Sequence, residues 1–164
     1  GAIFRGGKFL DGLLSTKIEK DDMDATEKII KSIKKSRHYD QLSLIMLDGI
    51  SYGGFNLVDI KKLNKETNLP VMAIQRKVPN IKKFSDAMKI FKDHKKRIAV
   101  VKKAGKFYRY KVSQGDVFYQ RCGISDDSCR KILAMTCVRS NIPEPIRVAH
   151  LIASGLSGES RGRA

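Results

Sequence analysis

The chain has 164 residues, of which 41% are hydrophobic, and this length and composition are typical of one globular domain with one core. No apolar run approaches the 18 residues that a membrane-spanning helix needs, so we expect no membrane partner. The 33 Lys and Arg residues exceed the 17 Asp and Glu residues and give a formal net charge of +16. This excess favours a polyanionic partner such as DNA or RNA, and a solvated lysine-rich surface is the alternative interpretation.

Hydrophobic periodicity predicts alternating strands and helices in the first half of the chain. In chain order, the predicted elements are a hairpin within 1–20, a helix over 25–37, a strand over 42–47, a helix over 55–68 and a strand that begins at 70. Asp24 at an N-cap position and Glu27 three residues later match a capping box and set the start of the first helix. The run Leu42–Leu47 is apolar except for Ser43, which predicts a strand covered on both faces.

The second half continues the alternation. In chain order, the predicted elements are a helix over 81–94, strands over 97–103, 107–112 and 115–124, and helices over 125–140 and 142–156. The basic residues are clustered here, because Gln75–Lys111 contains 14 Lys or Arg residues and only two acids. We therefore predict an α/β fold, with a mixed central β-sheet flanked by helices on both faces. Residues 1–156 are predicted to form a single domain, and 157–164, which have no apolar anchor, a flexible tail.

The three cysteines, Cys122, Cys129 and Cys137, lie seven and eight residues apart and form no Cys-x-x-Cys pair. This spacing argues against a structural zinc site. Free, mostly buried thiols in a reducing cytoplasm are the interpretation that we prefer. The sequence does not predict the oligomeric state.

Three segments occur in an order that resembles the endonuclease V superfamily: "LIMLDGISYGGFNLVDI", "LPVMAIQRK" and "IPEPIRVAHLIASGL". With "RGGKFLDG", "DATE" and "GESRGR", the chain resembles most closely an uncharacterised, largely archaeal branch of that superfamily. The resemblance covers nearly the whole chain, and the Pro-Glu-Pro motif is its most specific part. It implies a ribonuclease H-like fold and descent from a metal-dependent nuclease acting on DNA or RNA.

The resemblance implies a carboxylate site for Mg²⁺ or Mn²⁺. Asp48 matches the metal-binding Asp that follows a strand in endonuclease V, and the end of a strand is where α/β folds place ligands. Asp48 as the cap of the following turn is the alternative. "DDMDATE" lies where endonuclease V carries a second acid, so Asp24 or Glu27 is the candidate, and we favour Asp24. An ordinary helix N-cap is the competing interpretation of Asp24.

The resemblance also implies residues that contact nucleic acid or assist the reaction. Lys77, with Arg76 beside it, stands at the basic position that closes the next strand and can bind a phosphate. His150 ends the Pro-Glu-Pro motif and can assist the leaving group or orient a water, unless it is a hydrogen-bonded core histidine. Arg147 on the same helix can clamp a phosphate or pair with Glu144.

Two departures from endonuclease V bear on activity. In endonuclease V an acidic residue lies on an initial strand before the hairpin, and this chain begins after that position. We therefore expect one carboxylate ligand of the metal site to be absent. "ISYGGFN" replaces the loop that reads damaged bases, so recognition of deaminated bases does not carry over. Its two glycines favour a tight turn over an anion site. The sequence thus predicts a Mg²⁺-dependent nuclease or, alternatively, a non-catalytic nucleic-acid-binding module with a decayed acidic site.

Overall fold

The computed structural model describes residues 1–156 and 158, so the predicted tail lies outside the described residues except for Gly158. The strands are β1 (Ala2–Arg5), β2 (Phe9–Leu13), β3 (Ile45–Asp48), β4 (Ser51–Tyr52), β5 (Asn56–Leu57), β6 (Val71–Gln75), β7 (Tyr108–Val112) and β8 (Gly115–Cys122). The helices are α1 (Ala25–Lys34), α2 (Ile60–Thr67), α3 (Ile81–Ala87), α4 (His94–Lys103), α5 (Asp126–Thr136) and α6 (Glu144–Gly155). This order confirms the α/β class.

The central sheet has four strands in the order β3-β6-β8-β7. Strands β3 and β6 run parallel, whereas β8 is antiparallel to both β6 and β7, so the predicted mixed sheet is confirmed. The predicted hairpin is also confirmed as the antiparallel pair of β1 and β2. Strands β4 and β5 form a second, shorter antiparallel pair directly after β3.

Helices cover both faces of the central sheet, as predicted. Alternate side chains of a strand point to opposite faces, and Val71 and Ala73 of β6 pack into a core with residues of α1, α2 and α4. Met72 and Ile74, which point the other way, pack with residues of α5 and α6. All four side chains are fully buried. Burial on two faces explains why this strand is apolar without interruption.

Residues 97–103, predicted as a strand, belong to helix α4. The β-branched residues Val100 and Val101 favoured a strand, but the buried positions Arg97, Val100, Val101 and Ala104 repeat with helical spacing. The predicted helix over 81–94 was also wrong, because it is divided into α3, a 3₁₀ turn and the start of α4.

Helix α2 begins at Ile60 rather than near Phe55. The side chain of Asp59 accepts hydrogen bonds from the amides of Lys61 and Lys62 and so caps the helix. The preceding residues form β5, and "SYGGFN" is the tight turn that the sequence favoured. The amide of Phe55 at that turn donates to the carboxylate of Asp21, at 2.8 Å.

The start of α1 is capped by Asn56 and not by Asp24. The Oδ1 atom of Asn56 accepts a hydrogen bond from the amide of Ala25 at 2.9 Å, and Asp24 caps no amide of the helix. The Nδ2 atom of Asn56 donates to Asp24 Oδ1 and to the carbonyl oxygen of Glu19. The fully buried Asn56 therefore fixes α1 against the turn after β3.

Within the described part of the chain, no helix has both the length and the apolar character that crossing a bilayer requires. All three cysteines carry free thiols, with Cys129 and Cys137 buried and Cys122 half-buried.

Candidate functional site

A cleft of about 440 Å³ opens at the edge of the sheet where β3 and β6 end. Because these strands are parallel, their carboxyl ends meet at the same edge. Asp48, the last residue of β3, and Arg76 and Lys77, which follow β6, line this cleft. Arg147 and His150 of α6 line it as well. The structure therefore brings five of the six residues singled out from the sequence to one place.

The Asp48 side chain is exposed, and none of the described residues forms a hydrogen bond or an ion pair with its carboxylate. Its backbone is held in place, because its amide donates to the hydroxyl oxygen of Tyr52 at 3.1 Å. Burial, and then the negative charge of Asp48, raises the pKa of Tyr52 well above its ordinary value. Tyr52 is therefore neutral, and its hydroxyl group holds the backbone of Asp48 at the cleft.

A tight turn carries the chain away from Asp48. Gly49 has φ +68°, a left-handed conformation that side chains with a Cβ rarely adopt. A Cβ at Gly49 would also lie 3.3 Å from Nε2 of Gln75, which is another residue of the cleft wall. The glycine thus lets β3 end abruptly, with Asp48 at the rim.

The cations beside Asp48 are available to a ligand. Neither Arg76 nor Lys77 has a hydrogen-bond or ion-pair partner among the described residues, and Lys77 is exposed. Helix α3 contributes Ile81 to the cleft wall and carries the exposed Lys82 and Lys83 directly after it. The basic segment predicted from the sequence therefore borders the cleft.

One arginine of that basic segment does not face solvent. Arg97 is only 4% exposed and donates to Asp93 and to the carbonyl oxygens of Asp21, Asp22 and Phe55. Its guanidinium also lies 4.2 Å from the centre of the Phe91 ring. This arginine joins α4 to the loop before α1 and to the turn before β5, so its role is structural.

Helix α6 forms one wall of the cleft and carries Arg147 and His150. Arg147 makes a bidentate ion pair with Glu144, with N–O distances of 2.8 and 2.5 Å. The hydrogen bond from this guanidinium lowers the pKa of Glu144 below its ordinary value. Arg147 was expected either to bind a phosphate or to pair with Glu144, and in the structure it pairs with Glu144. His150 is exposed and is therefore not a core histidine.

Asp24 lies elsewhere. Its carboxylate pairs with Nζ of Lys28 at 2.6 Å and accepts from Asn56, also at 2.6 Å, and it does not line the cleft. The hydrogen bond from Lys28, followed by that from Asn56, lowers the pKa of Asp24. Asp24 is therefore not among the residues that line the cleft with Asp48, and Lys28 and Asn56 occupy its two carboxylate oxygens.

The described residues fit a divalent ion only in part. Among them, no group of three or more His, Cys, Asp or Glu side chains is arranged to hold a metal. Mg²⁺, however, often takes only one or two protein carboxylates and completes its shell with waters and substrate phosphates. Asp48 fits one such position, since its carboxylate is exposed and no other described residue pairs with it.

Sequence reasoning missed the inner part of the cleft. Phe84, Val101, Phe107 and Gln120 line it, and Gln120 is only 2% exposed. The available signal was a glutamine inside an apolar strand, at a position whose neighbours in register are buried. The sequence alone does not show what such a residue faces.

The sequence profile of the Endonuclease dU family matches residues 1–157 of the chain. The chain belongs to this family. Its relatives include archaeal proteins, in agreement with the resemblance found in the sequence. A UPF0215 protein of Methanosarcina barkeri is 50% identical over all of this chain and 85% of its own length. A UPF0215 protein of Methanothermobacter thermautotrophicus is 46% identical over all of this chain and 81% of its own length.

A solved structure resembles this member of the Endonuclease dU family closely. It is a protein from Archaeoglobus fulgidus, described as being of unknown function, and it is 34% identical with a TM-score of 0.87. The match covers 94% of this chain and 87% of the other. The similarity shows that the two share this α/β fold, but the ribonuclease H-like relation predicted from the sequence stays a proposal.

Proposed function

We propose that this chain is a metal-dependent endonuclease that hydrolyses phosphodiester bonds in nucleic acid. The observation that carries the proposal is the cleft at the ends of β3 and β6, where the Asp48 carboxylate lies among cations and has, like Arg76 and Lys77, no partner within the described part of the chain. Membership of a family described as Endonuclease dU supports it. A ribonuclease H-like ancestry for the sheet is part of the same proposal.

Asp48 is the proposed metal-binding residue. A divalent ion bound there would lower the pKa of a bound water and neutralise charge on the phosphate. Asp48 would supply one carboxylate oxygen, with the substrate phosphate supplying others, because the described residues lack a complete ligand set. Asp24, bound to Lys28 and Asn56, supports the position of α1 and not the ion.

The cationic residues bind the nucleic-acid backbone. Lys77 and Arg76, which have no partner among residues 1–156 and 158, would contact phosphates on either side of the scissile bond, and Lys82 and Lys83 would extend this contact along α3. Arg147, already paired with Glu144, contributes less positive charge. His150, which also lines the cleft, is the group available for proton transfer to the leaving oxygen.

The proposed substrate contains deoxyuridine, which the letters dU in the family description abbreviate. This differs from the expectation that recognition of deaminated bases would not carry over. The resemblance places the short β4–β5 turn where endonuclease V has the loop that reads the base. Recognition of uracil would therefore depend on a different part of the cleft.

The experiment is a cleavage assay on plain, deoxyuridine-containing and deoxyinosine-containing oligonucleotides, as DNA and as RNA, in Mg²⁺, Mn²⁺ or EDTA. Metal-dependent cleavage that prefers deoxyuridine is the expected result. The Methanosarcina barkeri relative, assayed in parallel, is the matched comparison, because it is 50% identical over the whole chain. Binding without cleavage by either protein would overturn the proposal.

A second candidate function is nucleic-acid binding without catalysis. The observation that favours it is the lack of three clustered metal-ligating side chains among the described residues, beside an intact basic rim. This candidate predicts salt-sensitive binding that is unaffected by EDTA and by replacement of Asp48.

A further inference from the structure

The inner part of the cleft is apolar, with aromatic walls and one polar group at its base. Phe84 of α3 and Phe107 before β7 are half-buried cleft residues, and Val101 of α4, which also lines the cleft, is buried. Gln120 of β8 lies opposite Ala73 of β6 in register, so its side chain is on the sheet face that α4 covers. Enclosed apolar and aromatic surfaces of this kind bind bases that are turned out of a strand.

The amide of Gln120 has one satisfied end and one unsatisfied end. Its Nε2 atom donates a hydrogen bond of 2.8 Å to the carbonyl oxygen of Gly105, which fixes the orientation of the amide. Its Oε1 atom is buried and has no hydrogen-bond partner among the described residues. Leaving a buried acceptor unpaired is unfavourable, and the unpaired groups of native proteins call for an explanation.

We propose that Gln120 determines base specificity, with Oε1 accepting a hydrogen bond from a ring N–H of a base bound between Phe84 and Phe107. This inference rests on the proposed function, because it assumes that nucleic acid enters the cleft beside Asp48. Oε1 has almost no accessible surface in the free protein, so the base would have to displace the side chains that cover it, and it would then provide the donor that is lacking among the described residues.

An acceptor at this position distinguishes a deaminated base from its parent. Uracil carries a hydrogen on N3 and is a donor there, whereas N3 of cytosine is a bare acceptor that faces Oε1 unfavourably. The amide cannot turn over to present its nitrogen without breaking the bond to Gly105. Sites built to hydrogen-bond an N–H group reject analogues that lack it.

The test measures binding of short single-stranded oligonucleotides in EDTA, so that neither base pairing nor cleavage contributes. Three oligonucleotides differ at one nucleotide, which is deoxyuridine, deoxycytidine or N3-methyl-deoxyuridine. The proteins are the wild type, Gln120→Met and the control Gln114→Met. Gln114 is an exposed glutamine outside the cleft, and its amide also donates to a carbonyl oxygen, that of Val138. Gln114→Met therefore controls for the effect of replacing a hydrogen-bonded glutamine that has no proposed role in base recognition.

The wild type and Gln114→Met are expected to bind the deoxyuridine oligonucleotide about tenfold more tightly than the other two. Gln120→Met is expected to bind all three equally. Its melting temperature should lie within about 4 °C of that of the wild type, because the loss of the hydrogen bond to Gly105 and the removal of an unpaired buried acceptor have opposite effects on stability.

Each other result is decisive. Equal binding of the three oligonucleotides by the wild type, or a preference that survives in Gln120→Met, overturns this inference and leaves the proposed nuclease standing. Failure of the wild type to bind any of the three at low salt overturns both the inference and the proposed function.

Discussion

The amide of Gly49 donates a hydrogen bond of 2.9 Å to the carbonyl oxygen of Ile74, so the chain leaving β3 is joined to β6 directly behind Asp48. Strands β3 and β6 are in register here, with Asp48 opposite Ile74. The position of the carboxylate at the rim therefore depends on the left-handed turn at Gly49.

Replacement of Gly49 by alanine should destabilise this turn. The left-handed conformation costs a residue with a Cβ about 1–2 kcal/mol, and the new Cβ would press on Gln75 at 3.3 Å. Urea denaturation should show a loss of that size in the free energy of unfolding. Gly105 also has positive φ but nothing within 4 Å of its Cβ, so Gly105→Ala separates backbone strain from the contact. An unchanged stability for Gly49→Ala would contradict the account of this turn.

Asp24 should contribute to stability in a pH-dependent way. Its pKa is lowered by Lys28 and Asn56, so its contribution is present above the unfolded pKa of about 3.9 and is lost as the pH falls through the lower, folded value. Asp24→Asn should therefore be less stable than the wild type at pH 6. The difference should shrink as the pH is lowered below about 4, as measured by urea denaturation.

The same variant tests where Asp24 acts. Since its carboxylate lies outside the cleft, Asp24→Asn should retain metal-dependent cleavage when assayed well below its melting temperature. Loss of cleavage in a folded Asp24→Asn protein would restore Asp24 as a metal ligand and contradict the structural assignment.

Arg97 should be among the most sensitive positions for stability. Arg97→Ala leaves three carbonyl oxygens without their donor and Asp93 without its partner, which should cost about 3–5 kcal/mol. Lys96→Ala is the matched control, because the neighbouring side chain is exposed and should change stability by less than about 0.5 kcal/mol. Equal effects of the two substitutions in urea denaturation would show that the buried network is unimportant.

The rim cations should set the salt dependence of nucleic-acid binding. Each phosphate contact contributes roughly 0.7–0.9 to the slope of log K against log salt concentration, so Lys77→Ala should reduce the slope by about that amount. The doubly substituted Arg76→Ala, Lys77→Ala protein should lose about twice as much. Lys8→Ala, at an exposed hairpin position outside the cleft, should leave the slope unchanged. A slope equally insensitive to all three changes would place the binding surface elsewhere.

Much of the site could be predicted from the sequence because its residues follow local rules. A continuous apolar run marks a buried strand, and a carboxylate followed by glycine marks its exposed end, so Asp48 could be placed correctly. Arg76 and Lys77 directly follow the next buried strand, and the resemblance to endonuclease V singled them out. The position of α6 at the cleft could be expected from its motif but not from its periodicity.

The remainder depends on tertiary partners that a linear pattern does not reveal. Asp24 looks like an N-cap, but Asn56, more than 30 residues away, supplies the cap. Arg97 looks like one more surface cation, although it donates to Asp93 on its own helix and to three carbonyl oxygens from other parts of the chain. Gln120 looks like an ordinary strand residue, and only the packed sheet shows that half of its amide is unpaired.

The most direct test of the central claim compares cleavage and binding by the wild type and Asp48→Asn with a deoxyuridine-containing oligonucleotide in Mg²⁺. The substitution keeps the shape of an exposed side chain and removes only its charge. We expect cleavage to be abolished, because the neutral amide cannot hold the ion as the carboxylate does. Binding should be retained or strengthened, because the negative charge of Asp48 no longer repels the phosphates that Arg76 and Lys77 bind. Cleavage by Asp48→Asn at the wild-type rate would contradict the proposal that this carboxylate holds the catalytic ion.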